Sequence, residues 1–135
     1  MKVTGIKTQH CDAGWRNYSF VKLTTDEGIV GWSEYDEGFG SPGVTAAIEH
    51  LAERVVGRDV CAHERTYAEL YCVTRPAAGG VVAEAMGAIE NALLDAKAKR
   101  LGSIATASGF TGRTAPRGAS TIPTGTNQRS PTSTA

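Results

Sequence analysis

Cysteine is scarce in this 135-residue sequence: Cys11, Cys61 and Cys72 are odd in number, far apart and without a CxxC pair. That excludes a disulfide framework and leaves no tetrahedral zinc set. Neither Cys61 with His63 nor His10 with Cys11 has a second ligand pair to complete one. The thiols are expected to be partly buried and the imidazoles to lie on the surface. Long apolar runs are missing too, so no segment reads as a membrane span. The opening MKVTGIKTQHCDAG lacks the unbroken apolar core of a secretory signal, and the expected compartment is the cytoplasm. Clustered positive charge is absent: the formal net charge is zero, and Arg113, Arg117 and Arg129 are too scattered for a nucleic-acid footprint. Nucleic acid and membrane are set aside as partners. Finally, no acidic residue follows Asp95. Residues 1–102 carry 11 basic against 14 acidic groups, a net −3, and residues 103–135 carry the three remaining arginines, a net +3.

What is present has clear periods. Residues 2–9 alternate moderately as a strand around Val3 and Gly5/Ile6. In 18–25, Tyr18, Phe20, Lys22 and Thr24 fall on one face, and Ser19, Val21, Leu23 and Thr25 on the other. Asp26-Glu27-Gly28 supplies a turn and 29–35 a return strand, so the three segments read as an antiparallel meander with a longer first connection through CDAGWRN. The period then becomes helical. Val44, Ile48, Leu51 and Val55 mark one helix ending at Gly57, and 62–72 a second, with Tyr67, Leu70 and Tyr71 apolar. After Pro76–Gly80, Val82, Ala85, Met86, Ile89, Ala92, Leu93 and Ala96 form the stripe of a long third helix. Lys97, Lys99 and Arg100 suit its C-terminal dipole, and Gly102 suits its C′ position. Strands followed by about three helices predict an α+β fold.

Two stretches carry more than periodicity. YSFVKLTTDEGIVGWSEYDEGFG resembles the opening meander of the mandelate racemase/muconate lactonizing enzyme family of the enolase superfamily. That meander reads V-x-(I/L)-x-T-D-x-G-x-x-G-W-(G/S)-E, matched here by Val21, Leu23, Thr25, Asp26, Gly28, Gly31, Trp32, Ser33 and Glu34. AIENALLDAKAKRLG, residues 88–102, resembles the family's A-I-E-x-A-L-x-D-x-x-x-K-x-L-G helix. The resemblance covers nearly all of residues 1–102 and implies an N-terminal capping domain. In that family the domain closes over a TIM-type barrel, where carboxylates hold Mg²⁺. The cation stabilises the enediolate formed when a Lys or His base removes the proton α to a carboxylate. The capping domain supplies loops that cover the substrate's far end and exclude water.

On this reading the chain's partners are the barrel domain of an intact enzyme and a small carboxylate or acid-sugar substrate, with a homo-oligomer left open for the parent. The chain itself is expected to hold no cofactor, no metal ligand and no catalytic residue, the Mg²⁺ belonging to the barrel it lacks. The candidate substrate-binding residues lie in two lid loops, Cys11–Asn17 and Glu37–Pro42. Trp15 could pack over a carbon chain, Arg16 and Asn17 could bond hydroxyls or a far carboxylate, and Phe39 stands between two glycines. Each also suits a plain turn. Glu34, Asp36 and Glu37 are not read as a metal site, and Glu90 and Asp95 are read as polar groups docking the last helix rather than as an acid/base pair.

The expected domains are residues 1–102, the cap, and 103–135, a disordered tail rich in Ser and Thr with Pro116, Pro123 and Pro131. The family continues past its K-x-L-G toward a barrel, whereas this chain reads Ser103-Ile104-Ala105-Thr106-Ala107-Ser108. Read one base earlier, the 102–103, 105–106 and 107–108 junctions permit Val, Tyr and Leu at the family's spacing. A reading-frame change near Gly102, real or from sequencing, is therefore expected, with a natural disordered tail on a standalone domain as the competing explanation. The expected function is the cap of an Mg-dependent acid-sugar dehydratase-like enzyme, inactive alone, with a racemase or cycloisomerase as alternative parents. A non-enzymatic module that docks on a full-length relative is the competing class.

Overall fold

The computed structural model describes residues 1–38, 41–77 and 79–103. Strands β1 (Val3–Asp12), β2 (Asn17–Thr25) and β3 (Val30–Tyr35) form one antiparallel sheet in the order β1-β2-β3. Helices α1 (Val44–Val55), α2 (His63–Thr74) and α3 (Gly80–Leu101) follow, with a short 3-10 turn at Val60–Ala62 before α2. The α+β order expected from the periods is the observed one. The stretch read as a disordered tail lies outside the described residues from 104 onward, as does Phe39.

The alternation along β2 decides which face of the sheet is covered. Ser19, Val21, Leu23 and Thr25 are buried, and Tyr18, Phe20, Lys22 and Thr24 stand on the outer face, half-buried. Helix α3 lies on the inner face and is covered on most sides, sandwiched between the sheet and the other two helices. Its Met86, Ile89 and Leu93 join Val21, Leu23, Val44, Ile48 and Val55 in one core. Each such side chain contributes about 1.5–3 kcal/mol of transfer free energy.

The two motif stretches meet in this core. Gly31 packs so closely on α3 that a β-carbon there would lie 2.1 Å from the Ala92 carbonyl oxygen. The free edge of β3 is closed by the same helix. Asp95 Oδ2 accepts from the Trp32 backbone N–H at 2.8 Å, and Lys99 Nζ donates to the Val30 carbonyl at 2.8 Å. Asp95 and Lys99 are themselves paired at 2.6 Å. The D-x-x-x-K spacing thus puts an acceptor and a donor one turn apart, matching an N–H and a C=O of an edge strand. Asp95 docks the helix as its polarity suggested. Glu90 faces His63 and Glu64 instead, and burial raises its carboxyl above the ordinary value.

At its C-terminus α3 stops by its own geometry. Gly102 takes φ 63°, its N–H donates to Lys99 O at 3.3 Å, and the Ser103 N–H donates to Ala98 O at 2.9 Å. That is a Schellman closure.

Three expectations need correction. The first connection is short, not long: the ladder runs on through Cys11↔Tyr18 and Asp12↔Asn17, leaving only residues 13–16 as a turn. On α2 the buried residues are His63, Thr66 and Leu70, whereas Tyr71 is exposed, because the helix presents its 63/66/70 stripe to the core. Cys11 and Cys72 are exposed rather than partly buried, and His63 is 6% exposed rather than superficial.

Candidate functional site

The hairpin between β1 and β2 is built tightly. Ala13 N–H donates to Arg16 O at 3.0 Å, and Gly14, at φ 84°, donates its N–H to Asp12 Oδ1 at 2.7 Å. Trp15 is thereby held at the tip, 78% exposed, with its ring edge-on to Tyr18 at 6.1 Å. Arg16 turns back over the sheet. Its guanidinium lies 4.7 Å from the Tyr18 ring centroid and pairs with Glu34 at 3.3 Å, so it is neither free nor merely solvated. Asn17 opens β2 and is exposed.

The second loop is anchored by two carboxylates. Asp36 Oδ1 accepts from the Gly38 N–H at 2.9 Å. Glu37 accepts from the backbone N–H groups of Gly43 and Thr45 at 3.2 and 3.3 Å, and from the Thr45 hydroxyl. Glu37 therefore caps α1 from six residues before Gly43. A carboxylate there satisfies orphan donors and suits the positive end of the helix dipole. Its carboxyl is held below the ordinary 4.5, first by the Thr45 hydroxyl and then by those two N–H groups and His10. Because the Thr45 hydrogen goes to Glu37, Tyr35 Oη donates to Thr45 Oγ1 at 2.7 Å. Burial is the main cause that raises the Tyr35 phenol, with the Glu37 and Glu49 carboxylates adding to it.

Hairpin and loop face each other across an open cleft of about 720 Å³. The hairpin side gives Trp15, Arg16 and Asn17, the second loop gives Asp36, Glu37 and Gly38, and the strands give His10 and Ser19 as the floor. His10 Nδ1 and Ser19 Oγ are 3.0 Å apart, and the imidazole meets Tyr35 edge-on at 6.3 Å. The structure thus brings Trp15, Arg16 and Asn17 into one cleft. His10, Ser19 and the Tyr35–Thr45–Glu37 chain were missed as site residues. The β1–β2 register His10↔Ser19 is the signal that would have placed the imidazole there.

A larger concavity, about 960 Å³, lies between α1 and α2 over Val56, Leu70 and Val73. Two of its arginines, Arg58 and Arg65, are already paired with Glu69 at 2.8 and 3.0 Å. Glu53 and Arg54 also line it, beside a mainly apolar wall, whereas the smaller cleft sets polar groups around an exposed indole and is the better site for a polar ligand. Among the described residues no group of three His, Cys, Asp or Glu could hold a metal ion. Asp36 and Glu37, the nearest carboxylates in the cleft, are committed to backbone and hydroxyl donors. What the cleft offers is donors and acceptors around an exposed indole, suited to a hydroxylated carbon chain.

The profile of the mandelate racemase / muconate lactonizing enzyme N-terminal domain matches residues 3–107. A D-galactonate dehydratase from Xanthomonas euvesicatoria pv. vesicatoria is 36% identical over 102 residues, covering 76% of this chain and 26% of the relative. Among solved structures, a Burkholderia xenovorans protein provisionally called an L-alanine-DL-glutamate epimerase, with magnesium and fumarate bound, is 74% identical. The match covers 74% of this chain and 25% of that one, at a TM-score of 0.72. The 3,6-anhydro-D-galactonate cycloisomerase of Zobellia galactanivorans is 29% identical over 75% of this chain and 29% of that one, at a TM-score of 0.67. The chain thus spans about a quarter of the length of these relatives.

Proposed function

This chain belongs to the mandelate racemase/muconate lactonizing enzyme family, matching its N-terminal domain, and from that premise we propose that residues 1–102 cap the substrate of an acid-sugar dehydratase-like enzyme. The observation that carries the reading is the cleft in which hairpin 13–16 faces loop 36–38. Trp15 covers the carbon chain, Asn17 and His10 bond hydroxyls, and Arg16, held by Glu34, closes the rim. The carboxylates of Asp36 and Glu37 line the same cleft. Their negative charge repels a second carboxylate, which favours a polyhydroxy tail. Mg²⁺, bound by the parent's barrel, would supply stabilisation of charge at the reacting carboxylate. The residues of this chain position the far end of the substrate and keep water out.

In this reading the polypeptide alone turns nothing over, and residues 103–135 are out-of-frame sequence. DNA beyond codon 102 that encodes no barrel in any frame would refute the second point. A dipeptide or amino-acid epimerase is the second reading, favoured by the 74% identity to the Burkholderia protein. The test is a chimaera joining residues 1–102 to the remainder of that protein. Assayed with Mg²⁺ against aldonic acids and dipeptides, it should turn over an aldonic acid. Trp15→Ala and Asn17→Ala should each raise KM about tenfold, the effect of losing one good contact. Unchanged kinetics in both variants would remove the lid role. Because the barrel there is the relative's, the lid's preference is read in KM: a KM for aldonic acids raised by the variants supports the dehydratase cap, and a KM raised for dipeptides alone selects the epimerase.

A further inference from the structure

The sheet has a second face, of which the capping role uses only the Arg16–Glu34 pair at the hairpin end. Tyr18, Phe20 and Lys22 of β2 stand beside Trp32 of β3 and Lys7 of β1 on the side away from α3. Tyr18 and Phe20 stack at 6.4 Å, and Trp32 is 40% exposed. Both tryptophans of the chain lie on this face or at its hairpin end. Aromatic rings gathered on one open sheet face are the composition of an interface core, not of a solvated surface.

Charge selects the occupant. The face carries Lys7, Lys22 and Arg16 against Glu34, and Arg16 already neutralises Glu34, which leaves two unmatched cations on a domain whose residues 1–102 sum to −3. Two copies packed face to face would bring lysines against lysines, which disfavours a second copy. A carbohydrate needs open ring faces on which to stack. Here Lys22 Nζ lies over the Trp32 ring, 5.5 Å from its centroid, and the Arg16 guanidinium lies over Tyr18 at 4.7 Å. The cations can leave those rings for carboxylates, whereas a sugar would have to displace them without recompense. If the cleft faces the catalytic portion, as the capping reading holds, this opposite face is left for another chain.

We propose that the outer face of the sheet, Lys7, Tyr18, Phe20, Lys22 and Trp32, docks a second protein through a surface on which carboxylates alternate with apolar side chains. The two lysines pair with the carboxylates, and the three rings bury the apolar residues between them.

The experiment uses the full 135-residue chain. Its tryptophan fluorescence is titrated with a capped twelve-residue Glu-Val peptide of three Glu-Glu-Val-Val repeats, which as a strand shows both residue types on each face, and with the Lys-Val counterpart of the same pattern. Polygalacturonate is the anionic carbohydrate control, and sedimentation velocity reports self-association. The expected result is a saturable change with the Glu-Val peptide alone, weakened at least tenfold in Lys7→Glu/Lys22→Glu. The milder Lys7→Gln/Lys22→Gln pair should weaken it severalfold while leaving the far-ultraviolet dichroism unchanged. No saturable binding, equal binding of both peptides, binding of polygalacturonate alone, or a dimer indifferent to the lysine changes would overturn it. Trp15 of the cleft contributes to the same fluorescence, so the titration is repeated in Trp15→Phe, where the saturable change must persist through Trp32; its loss there would also overturn the proposal. Failure here leaves the chimaera result standing, and failure of the chimaera removes only the argument for which face is free.

Discussion

At Gly31 the missing side chain is a requirement of packing rather than of backbone conformation. A β-carbon would stand 2.1 Å from Ala92 O and 3.0 Å from the Ala96 β-carbon, both parts of a helix fixed on its other side by α1 and α2. Gly31→Ala should therefore force α3 off the sheet and lower stability by at least about 2 kcal/mol. Urea midpoints at constant m-value are the check. Glu90 makes the opposite kind of prediction. Burial, with Glu64 assisting and His63 opposing, holds its carboxyl above the ordinary 4.5. The folded state then binds the proton more tightly than the unfolded chain. Its stabilisation is present at low pH and is lost as the pH rises through the raised value. Glu90→Gln, neutral throughout, should be more stable than the parent at pH 7 and lose that advantage as the pH falls toward 4. Denaturation curves at both pH values decide it.

At the scale of elements, the α3–β3 clamp ties the two family motifs to each other. Removing the Asp95 carboxylate leaves the Trp32 N–H without its acceptor and Lys99 with the Val30 carbonyl alone, so Asp95→Ala should cost about 1–2 kcal/mol. Adding Lys99→Ala should then cost less than it does alone, a non-additivity that a double-mutant cycle measures. Much of this architecture was legible in the sequence, for physical reasons. The period-2 run from Tyr18 to Thr25 divides the strand into two faces, although Tyr18 and Phe20 on one balance Val21 and Leu23 on the other and α3 decides which is buried, and Gly102 ends α3 through contacts within its last turn. What was not legible depended on partners far along the chain. Glu37 caps α1 from outside the helix, so no N-cap signal stands at Gly43, which carries no side chain. His10 reaches the cleft only through its register with Ser19. The hairpin came out shorter than expected because Asp12 and Asn17, turn-formers by composition, pair with each other across the ladder.

For the molecule as a whole, the sheet and α3 form a rigid floor from which two short loops rise toward one cleft. Exposed Val56 and Val73 near the α1–α2 concavity, and Leu101 at 60% exposure where α3 ends, are apolar surface that a larger assembly would cover. Three-quarters of the length of the relatives lies beyond what this chain matches, and a capping role needs that remainder. The most direct test is exchange of the α-proton of galactonate in deuterated water with Mg²⁺, followed by proton NMR for the 135-residue chain and for the chimaera side by side. The capping account predicts exchange by the chimaera, reduced at subsaturating substrate by Trp15→Ala, and none by the chain alone. Exchange catalysed by the 135-residue chain itself would contradict it.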